Sequence, residues 1–454
     1  MGSPIAAASA LASPSPGVVV AAALGAALAI ALLVALMRRY EQAFPLLAIL
    51  ALPFRLPISA DGRTVNLLIP LYLVVAAGTL AHLLPRLFRR EQRGFGRLEW
   101  LLLATVVLYA LQGLYSPDRA KAGENLAFFY VPFGLLFLLL REVRWTRELL
   151  LRCLGIAVVL AVAFAGVGFV EYARKELFLN PKVVSANQFD NYFRVNSLFF
   201  DPNIYGRFLA LVMIAVSTVV LWSRRRREVL LAAGALAWLL AGLVTSFSQS
   251  SIAALLLGLA VLAAFRWSLR WTLAVAAALI ALALAVVLLA PASSHFGLNG
   301  SSGSTQNATN GRTKLIEGGL ELFAKRPLQG YGSGSFQHEY ELHSKTTAQN
   351  ATSASHTIPI TVAAEQGLPG LGLYLALLAL AFLVLFRGAG RSPPRIALAA
   401  CFAALVLHTF AYADFLEDPL TWTLLGIGLA LARADREPEA VPEADRAAPA
   451  RARA

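Results

Sequence analysis

Long apolar runs separated by short polar loops dominate this chain. They fall at 17–37, 43–57, 64–84, 98–114, 122–140, 149–170, 203–222, 229–244, 251–265, 271–291, 357–386, 395–413 and 418–433. Most approach the roughly 20 residues that a helix needs to cross a hydrocarbon core of about 30 Å. None alternates as barrel strands do, and in lipid the backbone must satisfy its own hydrogen bonds, so the runs are helices. The pattern predicts an all-α polytopic membrane bundle of about thirteen spans. The second run is short and holds Pro45, Pro53 and Pro57, which leaves twelve spans or a re-entrant pair open. Residues 1–16 form a short N-terminal segment, and 17–291 carry the first ten spans. A polar loop fills 292–356, the last three spans follow at 357–433, and 434–454 is an Ala- and Pro-rich charged tail expected to be disordered. The first run lacks a basic flank and does not read as a cleaved signal. No internal repeat is visible, which counts against inverted-repeat transporters.

Composition agrees: 58% of the 454 residues are hydrophobic and only 14% charged, against about 25% charged in soluble domains. The net charge of +13 follows topology. Arg86, Arg89, Arg90, Arg93 and Arg97 fall on the same side as Arg141, Arg144 and Arg147, as Arg224 to Arg227, and as Arg387, Arg391 and Arg395. The positive-inside rule makes that side cytoplasmic, together with the C-terminus, and places the loops at 171–202 and 292–356 outside. No separate basic domain exists to hold a nucleic acid. Cys153 and Cys401 lie inside apolar runs and read as small packing residues.

Candidate chemistry sits in three outward patches. In the first, Arg194 to Asn203 lead into a span; Asp201-Pro202-Asn203 reads as a capped helix start. Arg207, about one turn inside, either snorkels to the interface or pairs, with Asp201 the plausible partner. In the second, Leu315, Ile316, Leu320, Leu322 and Phe323 alternate with Lys314, Glu317, Glu321 and Lys325 at helical spacing. That predicts an amphipathic helix on the outer membrane surface. Pro327 ends it, and Gly330-Tyr331-Gly332-Ser333-Gly334 follows as a turn whose amides could face a phosphate, although most glycine clusters are plain loops. The third patch is Ser355-His356-Thr357, with Glu365 inside the following span and expected to point into the bundle. Any single histidine is more often a surface or packing residue, and His338 and His343 lack a ligand cluster, so no metal site is expected.

Three motifs occur in order: R-x-x-S-x-F-x-D-P-N from Arg194 to Asn203, R-x(n)-F-x-x-x-P-L-x-G-Y-G-x-G-x-F from Arg312 to Phe336, and His356 followed by E-x-G-x-x-G-L from Glu365 to Leu371. With the apolar layout, they resemble the bacterial O-antigen ligase and polymerase superfamily from about residue 17 to 433. That family moves glycans from a polyprenyl diphosphate carrier outside the inner membrane. The resemblance implies His356 as general base, Arg194 and Arg312 as the cations on the diphosphate, and a multi-pass protein of the bacterial inner membrane with an extracytoplasmic active site. Arg207, Asp201, Asn203 and Glu365 are the further candidates for substrate contact. Many members have Asn after the histidine, where this chain has Thr357. Many also carry an arginine where this chain reads Thr245-Ser246-Phe247-Ser248-Gln249-Ser250.

The implied chemistry is coherent. A diphosphate is already a good leaving group, so catalysis needs a base for the acceptor hydroxyl and cations for the departing charge. Imidazole, with a reference pKa of about 6.5, suits the first task. Guanidinium groups suit the second. The expectation is inverting, metal-independent transfer with no cofactor, from a polyprenyl-diphosphate-linked glycan to a lipid or glycan acceptor among membrane lipids. Ligase and repeat-unit polymerase share this site. The alternative of another class is a transporter or flippase with Arg207 and Glu365 along its path, and the plainest is a structural membrane subunit.

Overall fold

The computed structural model describes residues 16–60, 63–89, 94–179, 193–274, 304–344, 357–412 and 414–436. In chain order the elements are α1 (Pro16–Arg39), α2 (Ala43–Ala51), a hairpin of β1 (Leu56–Ala60) and β2 (Arg63–Leu67), and α3 (Ile69–Phe88). Next come α4 (Arg97–Gly113), α5 (Arg119–Leu140), α6 (Arg147–Arg174), α7 (Pro202–Trp222), α8 (Arg226–Thr245) and α9 (Gln249–Arg266). The chain continues through α10 (Ser304–Lys325), α11 (Phe336–Ser344), α12 (Ile358–Phe386), α13 (Pro393–Ala411) and α14 (Pro419–Ala434).

Nine of the described helices are long and apolar enough to cross a membrane, and α14 is a shorter apolar helix. The all-α polytopic architecture expected from the apolar runs is therefore present. Two details differ from the predicted spans. The expected second span, 43–57, contains a helix of only nine residues, about 14 Å at 1.5 Å per residue, and it then enters an antiparallel hairpin pairing Leu56 with Leu67. Pro53 and Pro57 lie where a longer helix would have to continue. The expected span at 271–291 falls mostly outside the described residues, as do most of the 1–16 segment and the 434–454 tail.

α7 and α13 form the centre of the bundle and are buried along most of their length. Leucines such as Leu24, Leu28 and Leu32 on α1 stay exposed, as lipid-facing positions do. Helix approach relies on small residues. At Gly206 on α7, an added Cβ would lie 2.7 Å from Ser251 Oγ on α9, so only glycine lets these two helices meet at that level.

Arginines gather at one end. Arg141, at the end of α5, reaches Glu99 on α4 at 2.7 Å, and Arg433 on α14 pairs with the same carboxylate. Arg266 donates to Leu221 O where α9 and α7 finish. The opposite end holds the start of α7, the α8–α9 turn, the end of α13 and the start of α14.

Candidate functional site

At that opposite end, α7 begins on Asp201, whose Oδ1 accepts from Asn203 N at 2.6 Å and so caps the helix. Burial raises the Asp201 carboxyl above its ordinary range; the Asn203 amide and then Arg194 oppose the shift. Arg194 is half-buried, donating from Nε to Ser246 O at 3.2 Å and from Nη2 to Asn203 Oδ1 at 3.3 Å. Asn203 Oδ1 also accepts from Ser248 Oγ at 2.8 Å. One amide oxygen thus ties the Arg194 fork to the α8–α9 turn.

The turn continues this polar chain inward. Ser248 caps α9 and lies 2.8 Å from Ser251 Oγ. Ser250 Oγ and Ser251 Oγ each lie 3.2 Å from Nε2 of His408, which is fully buried on α13. One turn into α7, Arg207 Nη2 lies 2.6 Å from Asp418 Oδ2, and the two side chains are 1% and 2% exposed. Asp418 Oδ1 accepts from Leu420 N and caps α14. Nε and Nη1 of Arg207 have no hydrogen-bond partner among the described residues. The Tyr412 ring stacks near the Arg207 guanidinium, 5.9 Å from its centroid. Burial and then the Asp201 and Asp414 carboxylates push the Tyr412 hydroxyl well above its usual pKa.

A second cluster adjoins the first. α12 breaks at Gly367, where φ is 64° and ψ −161°, and the glycine loop docks into the break. Gly334 N and Phe336 N donate to Oε2 and Oε1 of Glu365 at 2.9 and 3.0 Å, and Gly332 N donates to Glu365 O at 2.8 Å. Leu368 N returns a bond to Pro327 O at 2.7 Å. Gln112 and Tyr115, at and just beyond the end of α4, bind Gln366 O and Gln329 O from the other side. Gly330, Gly332 and Gly334 all have positive φ, which β-carbon-bearing residues rarely tolerate.

These contacts correct several expectations. Arg207 pairs with Asp418 rather than Asp201, because Asp201 is turned to its own helix end. The glycine-turn amides at 332 and 334 and the neighbouring Phe336 amide are satisfied by Glu365, so they do not form a phosphate cradle. Asp201, Asn203, Arg207 and Glu365, the candidates for substrate contact, each also make contacts within the protein that build the site. The amphipathic helix α10 turns Leu315 and Leu322 onto α11 and α12, in a cluster with Tyr331, Phe336, Tyr340 and Ala364, and leaves Leu320 half exposed. Part of its apolar stripe, at Leu315 and Leu322, therefore faces protein. Arg312 is on α10, but its side chain is outside the described residues, and so is His356. The next residue, Thr357, donates to Phe410 O at 3.2 Å, which brings the chain beside the end of α13, two residues from His408.

Sequence reasoning missed His408, Asp418 and the serines. Ser248-Gln249-Ser250-Ser251 immediately after an apolar run was the available signal of a polar helix start, but the partner histidine lies 157 residues on. Among the described residues no group of three or more His, Cys, Asp or Glu side chains could hold a metal ion.

No curated protein matches the chain. Residues 234–375 match the family model described as O-antigen ligase; the match spans the α8–α9 serines, Arg312, His356 and the Glu365 junction. This stretch, under a third of the 454 residues, is similar to the O-antigen ligase family and lies within a bundle of apolar helices, and the two findings together support an O-antigen ligase-like membrane protein.

Proposed function

We propose that this protein is an integral membrane glycosyltransferase that moves a glycan from a polyprenyl diphosphate carrier to an acceptor on the outer face of the bacterial inner membrane. The observation that supports it is the gathering, at the arginine-poor end of an apolar bundle, of the Arg194 guanidinium, its Asn203–Ser248 brace and the point where the chain enters from His356. A lipid-linked donor needs its headgroup bound at this level while its tail stays in the hydrocarbon, and a polytopic bundle allows that.

His356 accepts the proton of the acceptor hydroxyl as that oxygen attacks the anomeric carbon. The bond from this carbon to the diphosphate breaks, configuration inverts, and Arg194 and Arg312 hold the departing charge without a metal. Asn203 fixes the Arg194 fork; Glu365 fixes the loop between α10 and α12. The acceptor separates a ligase, which uses a different lipid or protein, from a polymerase, which uses another lipid-linked repeat. A transporter path is less well supported, because Glu365 spends both carboxylate oxygens on loop amides and Arg207 is tied to Asp418 through Nη2.

His356→Ala, compared with wild type at equal protein level by gel analysis of surface polysaccharide, is expected to abolish the product. Unchanged polymer would remove His356 from catalysis. Arg194→Ala and Arg312→Ala are expected to do the same, and retained product from either removes that arginine from the diphosphate site.

A further inference from the structure

At the arginine-rich end, far from the site above, the ends of α12 and α14 and the start of α13 surround a cavity of about 370 Å³ lined by Arg387, Arg391, Arg395 and Arg436, with Gly388 and Ala432. Four guanidiniums surround it and no carboxylate lines it. The acids nearby are engaged elsewhere. Asp435 Oδ2 is taken by Arg395 at 2.5 Å, and Arg395 is otherwise saturated by the carbonyls of Arg387 and Gly388. Glu99 is shared by Arg141 and Arg433. Arg387, Arg391 and Arg436 therefore have no carboxylate partner among the described residues. Positive-inside topology accounts for arginines at this end, but not for their convergence on one cavity.

A neighbouring cavity of about 320 Å³ shares Arg387 and Arg436 with the first; Arg97, Arg433 and the already paired Glu99 line one wall, and the other is apolar, from Leu380, Leu383 and Val384 on α12 and Leu429 on α14. Leu383 is 57% exposed, so this wall opens on the surface that faces hydrocarbon. A basic chamber joined to an apolar groove at a helix end suits one ligand class, an anion carrying acyl chains.

We propose that this double cavity is a binding site for an anionic phospholipid. The phosphodiester would lie between Arg387, Arg391 and Arg436, and an acyl chain would run along the α12–α14 groove. Guanidinium forks match phosphate oxygens in pairs, and basic pockets between spans hold lipid headgroups in the same manner. The site is independent of the proposed transfer reaction and would tie the ends of α12 and α14 together beneath it.

The test is native mass spectrometry of the full-length protein in detergent, titrated with equimolar phosphatidylglycerol and phosphatidylcholine. Phosphatidylglycerol should be retained about tenfold over phosphatidylcholine, a difference of about 1.4 kcal/mol. Arg387→Gln with Arg436→Gln should bring retention down to the phosphatidylcholine level, and Arg391→Gln alone should weaken it severalfold. Arg224→Gln with Arg227→Gln removes equal charge at the same end outside the cavity and should change nothing. Equal retention of the two lipids in the wild type overturns the proposal without any variant. An equal loss from the Arg224/Arg227 control also overturns it, since the attraction is then generic. Inorganic phosphate stabilising the protein as strongly as the lipid would assign the chamber to free anions and refute the lipid.

Discussion

Glu365 holds the glycine loop to α12, and cutting that link should release the loop. Its two oxygens accept from Gly334 N and Phe336 N at 2.9 and 3.0 Å. Glu365→Gln keeps one acceptor oxygen and turns an NH₂ donor toward the other amide, leaving one buried donor unmet at a cost of about 1–3 kcal/mol. Glu365→Ala leaves both unmet, about 2–6 kcal/mol if the two losses add. With tenfold per 1.4 kcal/mol, local opening of 330–336 should become about 5-fold to 100-fold more frequent in the Gln variant and about 30-fold or more in the Ala variant. Amide hydrogen exchange of peptides covering 328–342 reads this directly. Peptides from α7, which does not touch the loop, serve as reference. Exchange within about 3-fold of wild type in Glu365→Ala would refute the anchoring role, since even a single lost bond predicts more. Lost transfer activity with unchanged exchange would place Glu365 on the substrate instead.

Further outcomes follow from other contacts. Asp418→Ala strands the buried Arg207 charge and should lower stability by about 3–5 kcal/mol in thermal unfolding. Arg207→Met with Asp418→Leu should recover all but the cap's share of about 1 kcal/mol; a loss below about 1 kcal/mol in the single variant contradicts a strong burial penalty. Gly367→Ala combines a φ of 64° with a Cβ 2.5 Å from Leu328 O, so it should undock the loop and speed exchange at 327–336; normal exchange would show that the kink tolerates a side chain. Burial, then the Asp414 carboxylate, pushes Glu417 up to about 8, whereas an unfolded carboxyl titrates near 4.3. The folded state holds the extra proton between those values, so this group makes stability fall as pH rises through that window. Glu417→Gln should flatten the melting-temperature slope between about pH 5 and 8, and an unchanged slope would contradict the shift.

What the sequence made legible was what local pattern determines. Apolar length located the spans, the arginine loops located one end of the bundle, and Asp201-Pro202-Asn203 announced a capped start that the structure contains. Pairings across long separations were not legible. Arg207 has a carboxylate six residues away at Asp201, yet it meets Asp418, 211 residues on, because α14 rather than the preceding loop packs at its level. The glycine turn resembles an anion cradle until its amides are traced to Glu365, about thirty residues later in the chain. His408 reads as packing inside an apolar run, and only the packing of α13 against α9 sets it among serines. The second apolar run showed its prolines, but proline marks where a helix ends and not that a hairpin follows.

The most direct test of the central claim is glycan transfer by the purified protein in liposomes, with a polyprenyl-diphosphate-linked donor and an acceptor supplied on one side. Glycosylated acceptor should form with wild type when the substrates face the arginine-poor end, and should be absent with His356→Ala in equally folded protein. Equal transfer by the two proteins, or none by the wild type with both substrates present, would contradict it.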